Sequence, residues 1–178
     1  FFTAIQLMRS TEGIRIAKKP KIFSSKKIQQ AIQSLSFEMT ADQRDTLEKI
    51  LYDMGSTHVM YRLVQGDVGC GKTVVATLSL YAAFLSGYQG AMLAPTEILA
   101  RQHYQSVNEV LAPFGVKIEV LYSALSSAKK NEILKDVASG KIDILIGTHS
   151  MIQDTVTFHK LGLTIADEQQ RFGVAQRK

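Results

Sequence analysis

A single cysteine, Cys70, in 178 residues excludes a disulfide within the chain and fits a reducing, cytoplasmic setting. Apolar runs of the roughly 18 residues that a membrane-spanning helix needs are missing too. The nearest imitation, Val74 to Leu85, is too short and is broken by Thr77 and Ser79, so it reads as a buried helix. The four histidines (His58, His103, His149 and His159) and the one cysteine show no metal-ligand spacing. Internal repeats, low-complexity tracts and a basic–apolar–small signal segment are likewise lacking. The chain opens on Phe1-Phe2 rather than Met, which reads as a piece of a longer polypeptide.

What is present begins with a hydrophobic fraction of 46%, enough for one α/β domain with a modest extension. The net charge of +5 is unevenly placed. Residues 1–36 carry Arg9, Arg15, Lys18, Lys19, Lys21, Lys26 and Lys27 against one acid, Glu12, so the whole excess lies in this leader. Two readings stay open for it: an arm lying against nucleic acid, or a solvated linker. The leader reads as a helix, an extended basic stretch and a second short helix near Lys26 to Leu35. A capping box at Thr40-Ala41-Asp42-Gln43 then opens an amphipathic helix with Leu47, Ile50, Leu51 and Met54 on its apolar face, stopped by Gly55.

From there strands and helices alternate. Strands are expected at Val59–Val64, Ala91–Ala94, Ile118–Tyr122, Ile142–Ile146 and Leu163–Ala166. Helices are expected at Lys72–Leu85, Glu97–Leu111 and Ala128–Val137, with Gly87, Gly90, Gly115, Gly140 and Gly147 at the junctions. Such alternation means a parallel sheet covered by helices on both faces. Ligands of such sheets bind beyond the carboxyl ends of the strands.

The loop after the first of these strands carries the strongest signal. Gly66-Asp67-Val68-Gly69-Cys70-Gly71-Lys72-Thr73 is a complete G-x-x-x-x-G-K-T phosphate-binding loop set between a strand and a helix. Its backbone N–H groups and the positive helix end would face the phosphates of ATP or GTP. Lys72 would reach the β- and γ-phosphates and Thr73 would ligate Mg²⁺. Cys70 reads as a small filler. At the end of the last strand, 95 residues after Lys72, stand Asp167 and Glu168. Asp167 is suited to hold Mg²⁺, and Glu168 to orient and deprotonate the water that attacks the γ-phosphate. The bland alternative is an acid pair at a helix N-terminus.

Gln43 has two compatible readings: a purely structural cap bonding back to Thr40, or an amide that pairs with the N6/N7 edge of adenine. Phe37 could pack on that base or staple the helix. Ala94-Pro95-Thr96-Glu97 and Gly147-Thr148-His149-Ser150 follow the second and fourth strands and put hydroxyl and N–H groups at the nucleotide edge. In isolation, helix capping is the better reading of Thr96 and Thr148, and packing the better reading of His149.

Taken together, Arg62 to Gln65 with the phosphate loop, LAPTEILARQHY (Leu93 to Tyr104), GTHSMIQD (Gly147 to Asp154) and DEQQRFGVAQR (Asp167 to Arg177) resemble the RecG family of ATP-dependent branched-DNA helicases. The resemblance runs from Phe37 to Lys178. The leader, residues 1–36, resembles the segment that joins that family's DNA-binding wedge domain to its motor. Single motifs are common to all superfamily 2 helicases; APTEILA and DEQxRFG are far more specific. Transcription-repair coupling translocases are the nearest rivals around Gly140 to His149.

The resemblance implies a P-loop NTPase fold: the RecA-like first motor domain over residues 37–178, using ATP and Mg²⁺. It implies adenine selection by Gln43, phosphate binding by Gly66 to Thr73, and metal and water work by Asp167 and Glu168. DNA-backbone contacts fall to Pro95, Thr96, Thr148 and His149. Two positions depart from the family, which usually has Ser at Cys70 and His at Gln170. The second puts coupling of nucleotide state to the motor interface in doubt, since Gln170 stands where that link is made. In this fold the strand after the acidic box inserts between the phosphate-loop strand and the acidic-box strand, and the chain ends before it. The second motor domain with its arginine finger and the wedge domain are absent as well. The chain alone is therefore expected to hydrolyse ATP negligibly and to be poorly stable. The expected whole is a monomeric bacterial motor acting on forks and junctions in repair and recombination. The rival reading of another class is a nucleotide-sensing module that binds ATP without hydrolysing it, and Glu168 argues against it.

Overall fold

The computed structural model describes residues 2–6, 18–66 and 71–168. Its elements run β1 (Phe2–Gln6), α1 (Ser25–Gln33), α2 (Ala41–Gly55), β2 (Tyr61–Gln65), α3 (Lys72–Leu85), β3 (Gln89–Ala94), α4 (Glu97–Leu111), β4 (Ile118–Leu121), α5 (Ser127–Ala138), β5 (Ile144–Thr148), α6 (His149–Thr155) and β6 (Leu161–Glu168).

Helix boundaries follow their caps. Ser24, Thr40, Thr96 and Ser126 each accept a backbone N–H from the first turn of α1, α2, α4 and α5. At Thr40 the full capping box forms: its hydroxyl accepts from Gln43 N, and Gln43 Oε1 accepts from Thr40 N at 2.9 Å. Helix α3 is buried along its length from Val74 to Ala83, as an apolar-all-round helix must be. The hydroxyls of Thr77 and Ser79 on it donate to the carbonyls four residues back, at 2.7 Å each, so neither is stranded in the core.

The six strands form one sheet in the order β2-β1-β6-β3-β5-β4. β3 pairs parallel with β5 and β6, and β5 parallel with β4. β1 is antiparallel to both its neighbours, β2 and β6, so β2 runs in the same direction as the parallel set. Two expectations are corrected here. Residues 2–6, at the start of the leader, are a strand and not part of a helix. The five strands expected share one direction as expected, but the place expected to stand open beside the phosphate-loop strand is taken by an antiparallel β1, with Ala4 opposite both Leu63 and Ala166. A strand in that slot supplies ladder partners to β2 and β6 whichever way it runs.

Side chains alternate across the strands into two cores. Met92, Ile144, Ile146, Leu163 and Ile165 face the larger one with α1 to α4. Leu93, Leu121, Leu145 and Ala166 face the smaller one with Ile133 and Val137 of α5 and Ile152 of α6. Helices thus cover both faces. Helix α6 has no counterpart among the elements expected from sequence: seven residues, HSMIQDT, carry too little apolar pattern to declare it. Strand β5 starts two residues later than expected because Ile142 N turns back to Asp136 O and the Asp143 carboxylate accepts Lys117 N.

The described part of the leader packs in part on the rest of the chain, while Lys19, Lys26 and Lys27 stay exposed. Ile28 and Ala31 sit in the larger core. Lys18 Nζ donates to the carbonyls of Asp53, Met54 and Ser56, at and just past the C-terminal end of α2. Lys21 is only 7% exposed. Its Nζ and that of Lys160 stand 4.8 and 4.4 Å from the Tyr88 ring centroid. Burial, with help from Lys18, pushes the Lys21 ammonium down to about 8. Between that value and 10.5 the unfolded chain holds the extra proton, so stability should rise with pH. We expect the free energy of unfolding to climb from pH 8 to 9.5, by an increment on the order of 1–2 kcal/mol in denaturant melts, and Lys21→Met to flatten most of that climb. Equal slopes in the two proteins would contradict the assignment.

Gln89 fastens the opposite rim from the phosphate loop. Its buried amide donates to Val137 O and Ile142 O and accepts from Lys160 N, all at 2.8–2.9 Å. Gln89→Leu strands three backbone groups at once. It should cost roughly 2–4 kcal/mol in denaturant melts, against under about 1 kcal/mol for an exposed change such as Gln102→Leu.

Candidate functional site

Because β2, β3, β5 and β6 share a direction, their C-terminal ends meet at one edge of the sheet. The phosphate loop, Pro95-Thr96, Thr148-His149 and Asp167-Glu168 all leave from that edge.

At the loop, Gly66 follows β2, and Asp67, Val68, Gly69 and Cys70 lie outside the described residues. The described part resumes at Gly71, whose φ of 74° is the left-handed conformation that glycine alone adopts freely. A Cβ there would also overlap Gln43 Nε2. No side chain caps α3, and Val74 N donates to Gly71 O at 3.2 Å in its first turn. Lys72 Nζ donates to Gly66 O at 2.6 Å, drawing the two ends of the loop together. Thr73, on the first turn of α3, is partly exposed.

Gln43 stands between the start of α2 and the loop. Its oxygen completes the capping box of α2, while its nitrogen lies against Gly71 at the mouth of the loop. Beside them is a cavity of about 440 Å³ lined by Phe37, Gly71, Thr73, Thr77, Ser106 and Glu109, among others. Phe37 is 51% exposed, an aromatic face presented to the rim of that cavity instead of packed in a core.

Asp167 lies one residue beyond Ala166, which pairs with Leu93. It is 15% exposed and its Oδ2 accepts from His103 Nε2 at 2.8 Å. The side chain of Glu168 is outside the described part, as are Gln169 and Gln170. Among the described residues no group of three or more His, Cys, Asp or Glu could cage a metal ion.

The two DNA-contact candidates differ. Thr96 is exposed and caps α4, its hydroxyl accepting from Leu99 N at 3.2 Å. Thr148 is the last residue of β5 and makes no capping bond to α6, and His149 is the first residue of that helix. Both are partly exposed, as is Pro95. Gly147 must be glycine here, since a Cβ would come within 2.6 Å of Leu121 O. Glu97, beside Thr96, accepts from the hydroxyl and backbone N–H of Ser123, which hold its carboxyl below the usual range. This ties the start of α4 to the turn after β4.

A model of the DEAD/DEAH box helicase family matches residues 30–178. The chain belongs to that family. This helicase domain is 49% identical, over 94% of its length, to the ATP-dependent DNA helicase RecG of Bacillus subtilis (strain 168). Its identity to the RecG of Aquifex aeolicus (strain VF5) is 44% over the whole chain. It superposes on a solved structure of RecG bound to a three-way DNA junction with a TM-score of 0.81, at 41% identity and over 90% of the chain. A hypothetical ATP-dependent RNA helicase from Sulfolobus tokodaii, with a TM-score of 0.54 at 21% identity over 74% of the chain and 36% of the neighbour, shares the fold. The helicase domain spans about a quarter of the length of these RecG relatives: 24% and 23% of the two sequences and 22% of the solved chain. The RecA-like α/β fold expected from the motifs is the one found. His103 was not singled out from the sequence, and 64 residues separate it from its partner.

Proposed function

We propose that this chain is the first motor domain of an ATP-dependent DNA helicase that remodels branched DNA. The observation that carries the reading is the shared edge: a phosphate loop opening α3, Asp167 on the adjacent end of the sheet, and two strand-end segments with exposed or half-exposed polar groups beside them. The likeness to RecG, including one solved on a three-way junction, supports the substrate class. No described helix is long and apolar enough to cross a membrane, and the bacterial relatives support a cytoplasmic setting.

In this reading the adenine lies against Phe37 and the Gln43 amide, with its phosphates over the α3 N-terminus. Lys72 exchanges its bond to Gly66 O for phosphate oxygens. Thr73 and Asp167 would hold Mg²⁺, which would neutralise charge developing on the transferred phosphoryl group. Glu168 takes the proton of the attacking water. Pro95, Thr96, Thr148 and His149 hold the DNA backbone at the same edge, so nucleotide-driven movement of the two domains advances it. Gln170 would link nucleotide state to the second motor domain.

The test is steady-state ATP hydrolysis by the full-length protein without DNA, with linear duplex and with a three-way junction. Stimulation by the junction well above duplex is expected. Equal stimulation would favour a duplex translocase, and no hydrolysis would leave an ATP-binding module.

A further inference from the structure

We infer that His103 is a positioning residue for Asp167, fixing that carboxylate so that one oxygen is left for the nucleotide-bound metal. The inference rests on the reading of Asp167 given above. On α4 the buried residues Ala100, Val107 and Leu111 define the inward stripe. Position 103, three after Ala100 and four before Val107, lies on that stripe, where a helix packed on a sheet ordinarily carries an apolar side chain. An imidazole stands there instead, only 12% exposed.

Its described partner is Asp167 Oδ2, at 2.8 Å. A carboxylate can only accept, so Nε2 carries the proton in this bond. One oxygen is thereby engaged and the plane of the carboxylate is set. Outer partners of this kind orient metal-holding acids, and their loss typically weakens metal binding about 10–100-fold. A clamp of α4 onto β6 is the competing role. Any donor-free side chain of similar volume could fill that role, because the flanking Ala100, Val107 and Leu111 already seat the helix.

The experiment uses the full-length protein and three variants: His103→Leu, His103→Gln and Asp167→Asn. Mn²⁺ is titrated into each protein with a non-hydrolysable ATP analogue, and free Mn²⁺ is followed by electron paramagnetic resonance. Analogue affinity without metal, melting temperature and kcat are measured alongside. His103→Leu should lower Mn²⁺ affinity about tenfold or more and kcat with it, leaving metal-free nucleotide affinity within about twofold. His103→Gln, which keeps an N–H donor, should recover most of the Mn²⁺ affinity. Unchanged Mn²⁺ affinity in His103→Leu overturns the inference. So does equal loss in Leu and Gln variants that track their melting temperatures. If His103→Leu does not fold, His103→Asn, whose donor falls short of Asp167, must show the same metal-specific loss. Asp167→Asn separates the two layers: if it too leaves Mn²⁺ affinity and kcat intact, the reading of Asp167 itself falls.

Discussion

Glu168→Gln in the full-length protein is expected to lower kcat for ATP by about 10²–10⁴-fold, the usual contribution of a positioned general base. Nucleotide affinity should stay within about threefold, because the amide keeps the volume and hydrogen-bonding reach of the carboxylate and loses only its ability to take a proton. Glu168 ends β6, one residue past Asp167 and at the edge from which the phosphate loop also leaves. Asp167→Asn should behave differently, weakening metal-dependent binding as well as turnover. Equilibrium binding of a fluorescent ATP analogue together with single-turnover hydrolysis distinguishes the two. Retained turnover in Glu168→Gln would remove the residue from the reaction and assign activation of the attacking water to another group.

How far the sequence could be read depended on the range of the forces involved. Helices α3 and α4 appear at the expected boundaries, since each end is set by residues within a few positions: Gly71 before Lys72, Thr96 before Glu97. The succession of β2 to β6 along the chain and their shared edge also follow from local alternation. What could not be read were pairings over long separations. β1 joins residues 2–6 to partners about 60 and 160 positions away, so nothing beside Phe2 announces a strand there. Composition left Lys18 and Lys21 open between an arm on nucleic acid and a solvated linker. Burial of Lys21 and the bonds of Lys18 to carbonyls at the end of α2 give both a structural part that composition does not show. The His103–Asp167 pair is of the same kind, because a histidine on a helix declares a function only once its partner is in place.

The second large effect is expected at the contact between Gly71 and Gln43. Gly71→Ala places a side chain on a left-handed backbone, at about 1–2 kcal/mol, and drives it into the Gln43 amide. Displacing Gln43 also opens the capping box of α2, worth about 1 kcal/mol. The sum is roughly 2–3 kcal/mol of stability, and the left-handed turn at Gly71 that leads into α3 is lost. Affinity should therefore fall by about 100-fold or more for ATP and GTP alike, since the phosphates are common to both. Gln43→Glu isolates the other half of the contact. A carboxylate still accepts the Thr40 N–H, so the box and the melting temperature should survive. It cannot donate to adenine, so the preference for ATP over GTP should collapse even where added negative charge weakens both nucleotides together. An unchanged ATP-to-GTP ratio would reduce Gln43 to a cap and leave base selection to the cavity beside Phe37. The one position on α2 that sets the helix start would then have no part in choosing the nucleotide.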